Sequence, residues 1–183
     1  MGEAVKIHQL QAAYAPAEDR LLLRLSTTDC REFRFWLTRR FVQRLWPALR
    51  QSLESQREVA HHPDQAIRAA MLGFMHENAT SQADFQAPFS EPPGGALLPL
   101  GETPILAVHA RITPIPGHES LRQIQLHPER GHGIEVTMDM TLLHAFCKLL
   151  SDAVSAADWQ MSLNLTAGLP PTVNTMEQGR VLH

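Results

Sequence analysis

The sequence predicts an α+β protein: two antiparallel three-stranded meanders, each followed by a helix, in a pseudo-duplicated single domain. Three observations carry this expectation. Residues 5–49 lie on residues 106–150 without a gap, at an offset of 101 positions. Their apolar positions coincide: Ile7 falls on Val108, Leu23 on Ile124, Leu25 on Leu126, Phe33 on Ile134 and Phe35 on Val136. Within both stretches a period of two gives way to a helical period at the same place, so Phe41, Val42, Leu45 and Leu49 meet Leu142, Leu143, Phe146 and Leu150. Only four positions are identical (His8/His109, Glu18/Glu119, Leu25/Leu126 and Leu49/Leu150), so the likeness is one of register.

Each element follows from local chemistry. Residues 5–13 (VKIHQLQAA) alternate and read as a strand. The segment 15–19 (APAED) turns the chain, with Pro16 suited to an early turn position. Residues 20–26 are apolar enough at Leu21, Leu22, Leu23 and Leu25 to form a central strand. After a turn at 27–30, residues 32–37 direct Phe33, Phe35 and Leu37 one way and Glu32, Arg34 and Trp36 the other. Thr38 is placed to cap a helix whose stripe is Phe41, Val42, Leu45, Trp46, Leu49 and Leu53. Pro47 lies inside it and predicts a kink or break near Leu45 and Trp46.

A polar stretch, 55–62, precedes a linker helix expected over 63–78, with Pro63 in its first turn. Ala66, Ile67, Ala70, Met71, Phe74 and Met75 are its expected buried side. The crossover 80–101 carries four prolines, three glycines and no period. Such loops inside a domain are usually functional or mobile. Strands resume at 105–112, 121–127 and 133–138, and Asp139 caps a helix over about 140–156. Residues 159–165 (WQMSLNL) alternate and predict a final edge strand. The resulting organisation is a globular domain over 1–165, with pseudo-repeats 5–56 and 104–157, and an extended or disordered tail at 166–183.

Composition bounds the function. The chain has 183 residues, 44% hydrophobic and 19% charged, ordinary for a soluble globular protein. No apolar run approaches the ~20 residues a spanning helix needs, so no membrane partner is expected. The start lacks the basic and apolar regions of a signal peptide, and two cysteines make no disulfide framework. These features predict a cytoplasmic protein. Arginine outnumbers lysine by 14 to 2, which points to a bacterial, GC-rich source. Residues 1–57 carry ten basic and six acidic side chains, while the whole chain has net charge −3. That asymmetry fits a nucleic-acid face, two halves that meet, or an acidic partner.

Reactive chemistry is not announced. His127, Glu129 and His132 span a hairpin, but their spacing matches no ligand pattern. Arg31 beside Cys30 would lower a thiol pKa, yet no histidine is near in sequence. There is no nucleophile elbow and no glycine-rich phosphate loop. No cofactor, metal or catalytic residue is therefore expected. Two segments stand out as interaction candidates. One is Arg34, Trp36, Arg39 and Arg40, an aromatic and basic strand-to-helix junction of the kind that stacks bases and neutralises phosphates. The other is Phe85, Phe89, Leu97 and Leu98, apolar residues in the aperiodic crossover. The repeated plan is similar, at the level of fold alone, to the Whirly and Pur-alpha families of single-strand binders, which duplicate a four-strand-plus-helix unit. This chain has three expected strands per unit and none of their motifs. The leading expectation is a non-catalytic interaction or accessory protein, acting on a protein partner or on a second copy of itself. Single-stranded nucleic-acid binding is the alternative.

Overall fold

The computed structural model describes residues 6–165 except 82, 86 and 93. It is an α+β fold with two sheets, one of four strands and one of three. Strands β1 (Ile7–Ala15), β2 (Arg20–Thr27) and β3 (Glu32–Leu37) form an antiparallel meander. Leu23 stands opposite Ala12 on one side and Phe35 on the other, so the odd positions of β2 build one apolar face. The turns need left-handed backbone at Asp19 and Cys30. Asp19 is tied down there, because its carboxylate accepts from the Tyr14 hydroxyl and the Trp159 indole N–H.

The first sheet departs from the three strands expected. Its fourth strand, β4 (Ile105–Leu106), comes from the end of the crossover and runs parallel to β3, with Ile105 beside Phe35 and Leu106 beside Trp36. The expected strand 105–112 is therefore split between two sheets. Ala107 donates to the Trp36 carbonyl at 3.0 Å, and Val108 donates to the His127 carbonyl at 2.9 Å. From there β5 (His109–Ile115), β6 (His118–His127) and β7 (Ile134–Asp139) form the second, antiparallel sheet. Gly133, at the start of β7, is obligatory: a Cβ there would fall on the Leu126 carbonyl oxygen.

Helix α1 (Arg39–Glu54) begins where Thr38 accepts from the Phe41 amide, and α4 (Met140–Ala157) begins where Asp139 accepts from the Leu142 amide. Of the kink or break expected at Pro47, no break occurs: α1 runs through the proline. The proline is exposed, and burial of Leu45, Trp46, Leu49 and Leu53 around it holds the helix together. The helices reach across the molecule: α4 packs against β1 as well as β7, and α1 packs against β5 and α4. One core therefore collects Leu21, Leu23, Phe35 and Leu49 with Ile124, Leu143, Phe146 and Leu150, all at most 1% exposed. Arg122 of β6, 5% exposed, binds the Ser52 and Ser55 hydroxyls at the C-terminal end of α1, where the helix dipole favours a cation.

Two further expectations are corrected. The linker helix is α3 (Gln65–Ser81), capped by Asp64 and preceded by a short helix α2 (Arg57–Ala60). It is turned away from the face assigned to it: only Leu72 is buried, while Ile67 is 43% and Phe74 is 72% exposed. Apolar residues occur all round this helix, so periodicity leaves its orientation open, and its contact with α4 decides it. The segment 159–165 makes no strand. It alternates as expected, burying Trp159, Leu163 and Leu165, but the Leu163 carbonyl accepts from Ser151 of α4 and not from a sheet edge. The tail at 166–183 lies outside the described residues.

Candidate interaction surface

The pleat of the first sheet places Gln11, Arg24 and Arg34 in one row across its outer face, with Gln9, Ser26 and Glu32 in the next. Glu32 is 1% exposed, and its Oε1 accepts from Arg24 Nε at 2.8 Å and Arg34 Nε at 2.7 Å. Burial works to raise its pKa, but the hydrogen bonds from the two arginines outweigh burial and hold the carboxyl below its usual range. Glu32 in turn raises the pKa of Arg34. The crossover straps this polar face. Phe89 stacks beneath the Arg24 guanidinium at 4.0 Å, Glu91 approaches it at 3.8 Å, and Ser90 and Gln9 exchange two hydrogen bonds. Glu32 Oε2 and Ser26 Oγ stay buried and have no hydrogen-bond partner among the described residues.

The sequence-derived candidates are thus dispersed. Arg34 is ion-paired and Trp36 is half-buried beside Leu106. Phe85, Phe89 and Leu98 are half-buried, with Phe85 under Lys148 and Phe89 under Arg24. Leu97 is 65% exposed, while its backbone is pinned to Cys30 and Glu32. Arg39 and Arg40 are exposed at the start of α1. Among the described residues, no carboxylate pairs with Arg40 or with Arg44 one turn on.

Arg44 borders a groove that sequence reasoning did not single out. Helix α1 contributes Phe41, Arg44 and Ala48, and the sheet junction with β5 contributes Val108, Ala110 and Ile112, around about 220 Å³. Leu106 and Val108, on either side of the point where the chain changes sheets, are 38% and 39% exposed. The signal for this surface was the run 105–108, apolar on both faces; what hid it was its division between two sheets. A larger cavity of about 640 Å³ lies between α1, α2 and α3, but its charged groups are already engaged, Arg50 by Glu54 and Arg68 by the His62 carbonyl.

A second site the sequence did not signal is a histidine pair at the contact of α3 with α4. Nδ1 of His76 and Nδ1 of His144 are 3.1 Å apart. His144 is 2% exposed, and its Nε2 has no hydrogen-bond partner among the described residues. Burial, aided by the neighbouring His76, lowers its pKa to about 4. Burial chiefly, and then Lys148, lowers that of His76. A neutral His144 donating from Nδ1 leaves a bare lone pair at Nε2, less costly to bury than an N–H. Cys147, one turn along α4, is buried, and its thiol is pushed up to about 12. Among the described residues, no three histidine, cysteine or carboxylate side chains gather as a metal site, and no helix is long and apolar enough to cross a membrane.

The geometry defines an α+β protein in which Arg44, paired with no carboxylate among the described residues, lies by the exposed apolar side chains at the junction of the two sheets. No family model, no curated protein and no solved structure matches the chain.

Proposed function

We propose that this is a non-catalytic interaction or accessory protein, cytoplasmic and bacterial, that works by protein–protein association at the junction of its sheets. The observation that carries the reading is the exposure of Leu106 and Val108 beside the α1–β5 groove. Apolar side chains clustered at a concave, cation-rimmed place are what an interface needs: burial supplies affinity, and the charges select the partner. The strap over Arg24 and Glu32 supports placing the contact here, since Phe89 and the adjoining Ser90 of the crossover already serve the chain's own fold.

The test is paired capture from the native cell, with mass spectrometry, using the intact chain and a Leu106→Glu/Val108→Glu variant of equal melting temperature. A partner retained by the first and lost from the second supports the reading. A partner set that the variant leaves unchanged removes it.

Single-stranded nucleic-acid binding is the second reading, favoured by the exposed Arg40 and Arg44 on α1, which pair with no carboxylate among the described residues. It requires an affinity for oligonucleotide that falls steeply with salt. The paired caps Thr38 and Asp139, each closing a third strand and opening a helix 101 positions apart, support descent from a duplicated β-β-β-α unit.

A further inference from the structure

We infer that the cavity between α1, α2 and α3 binds a small amphipathic monoanion, a carboxylate carried on an apolar chain or ring. This goes beyond the association reading above, and the site shares no lining residue with the groove at the sheet junction. Size, floor and charge lead to it.

The cavity of about 640 Å³ lies within the range of pockets that hold small molecules. It opens where α1 ends, α2 turns beside it and α3 begins. Its floor is apolar. Val59 of α2 and Leu72 of α3 are enclosed in the fold and line it, together with Ala60 and Ala69. Such a floor takes up hydrocarbon, so the occupant needs an apolar body.

The walls are cationic. Arg50 of α1 and Arg68 of α3 line the cavity against the single carboxylate of Glu54, and two guanidiniums against one carboxylate leave one net positive charge. Of the charged residues on α2, neither Arg57 nor Glu58 lines it. Among the described residues no carboxylate pairs with Arg68. Asp64, four positions before it, is turned to the start of α3, where it accepts from the Ala66 and Ile67 amides.

Each guanidinium is held at one edge. Arg50 donates from Nε to Glu54 Oε1 at 2.6 Å, and Arg68 donates from Nη1 to the His62 and Pro63 carbonyls at 2.6 and 3.1 Å. Their remaining nitrogens, both Nη of Arg50 with Nε and Nη2 of Arg68, have no hydrogen-bond partner among the described residues. Side chains fixed in this way lose little freedom on meeting a ligand. A carboxylate matches the planar guanidinium fork, and its one negative charge completes the balance. A phosphate dianion would bring its second charge against Glu54, and a cation would meet both arginines.

Titration calorimetry on the full chain tests this, with 4-phenylbutyrate as the probe and 4-phenylbutylamine and inorganic phosphate as comparisons. The carboxylate should bind and the other two should not. Methyl NMR should show shifts at Val59 and Leu72 and none at Ile67, on the exposed side of α3. Arg68→Gln should weaken binding about tenfold, and Arg68→Lys less, since an ammonium keeps the charge and loses the fork. Arg68 also holds the turn before α3, so Ala69→Phe is the companion variant. It leaves every charge in place, fills the cavity, and should abolish binding at a melting temperature near the parent's. The Leu106→Glu/Val108→Glu variant should bind the probe as the parent does. Amine or phosphate binding as tight as that of phenylbutyrate, shifts confined to Ile67, unaltered affinity in Ala69→Phe, or no heat at ten-millimolar probe overturns the inference. Loss of binding in the Leu106→Glu/Val108→Glu variant overturns it too, by moving the site to the sheet junction.

Discussion

At the scale of single residues, the His76–His144 pair makes stability depend on pH. His144 is depressed from 6.5 to about 4 in the folded chain. A histidine with a depressed folded pKa binds its proton more readily when unfolded. Its neutral form therefore supports the fold fully above about pH 6.5, and that support is lost as pH falls toward 4. The swing is on the order of 3 kcal/mol. Lys148 adds to the cost of charging His76, while Asp152 opposes it. Urea unfolding at pH 7.5, 5.5 and 4.5 should show the intact chain losing more stability than His144→Leu across that range. Parallel pH profiles for the two would mean the pair does not titrate in this way.

Residue chemistry also explains why the candidate surface was only half legible. The alternation of Glu32, Arg34 and Trp36 against Phe33, Phe35 and Leu37 correctly separated an outer from an inner face of β3. Nothing in that alternation says that Glu32 would bind both Arg24 and Arg34, or that Phe89 would arrive from 65 positions away to stack on Arg24.

At the scale of elements, α3 gives the sharpest contrast between apolar character and burial. Leu72→Ala should cost about 2–5 kcal/mol because its side chain is enclosed. Phe74→Ser, two residues on, should change stability by about 0.5 kcal/mol or less, because Phe74 faces water. Chemical denaturation of both variants checks this, and a reversed order would put the helix back on its expected face. The β6–β7 hairpin supplies a second prediction. Gly133→Ala should cost about 2 kcal/mol or more, since the added methyl group meets the Leu126 carbonyl and the strand must move away. Thermal melting reads this out. A variant as stable as the parent would show that the hairpin opens without strain.

At the scale of the whole molecule, the two helices bind the two sheets into one core. Leu45, 4% exposed, and Phe146, 1% exposed, anchor α1 and α4 within it. Leu45→Ala and Phe146→Ala should each cost about 2–5 kcal/mol. Because both lie in one cluster, each should lower the hydrogen-exchange protection of both sheets. Loss confined to one sheet would mean that the halves unfold separately.

The elements that the sequence determined by itself are those set by short-range chemistry. Thr38 and Asp139 cap the helices that follow them because each needs only the amide three residues on. The meander of β1 to β3 and the hairpin of β6 and β7 follow from alternation and turn residues within a few positions. Tertiary structure alone decided where 105–112 divides, which side of α3 is buried, and that 159–165 runs over α4 without pairing. The physical reason is common to all three. Periodicity states how much of an element is apolar, but backbone hydrogen bonds and apolar surface are satisfied by whichever neighbour is nearest in space. For these segments a deciding neighbour lies far away in sequence: Trp36 and His127 for the sheet junction, α4 for α3, and Asp19, which accepts from the Trp159 indole, for 159–165.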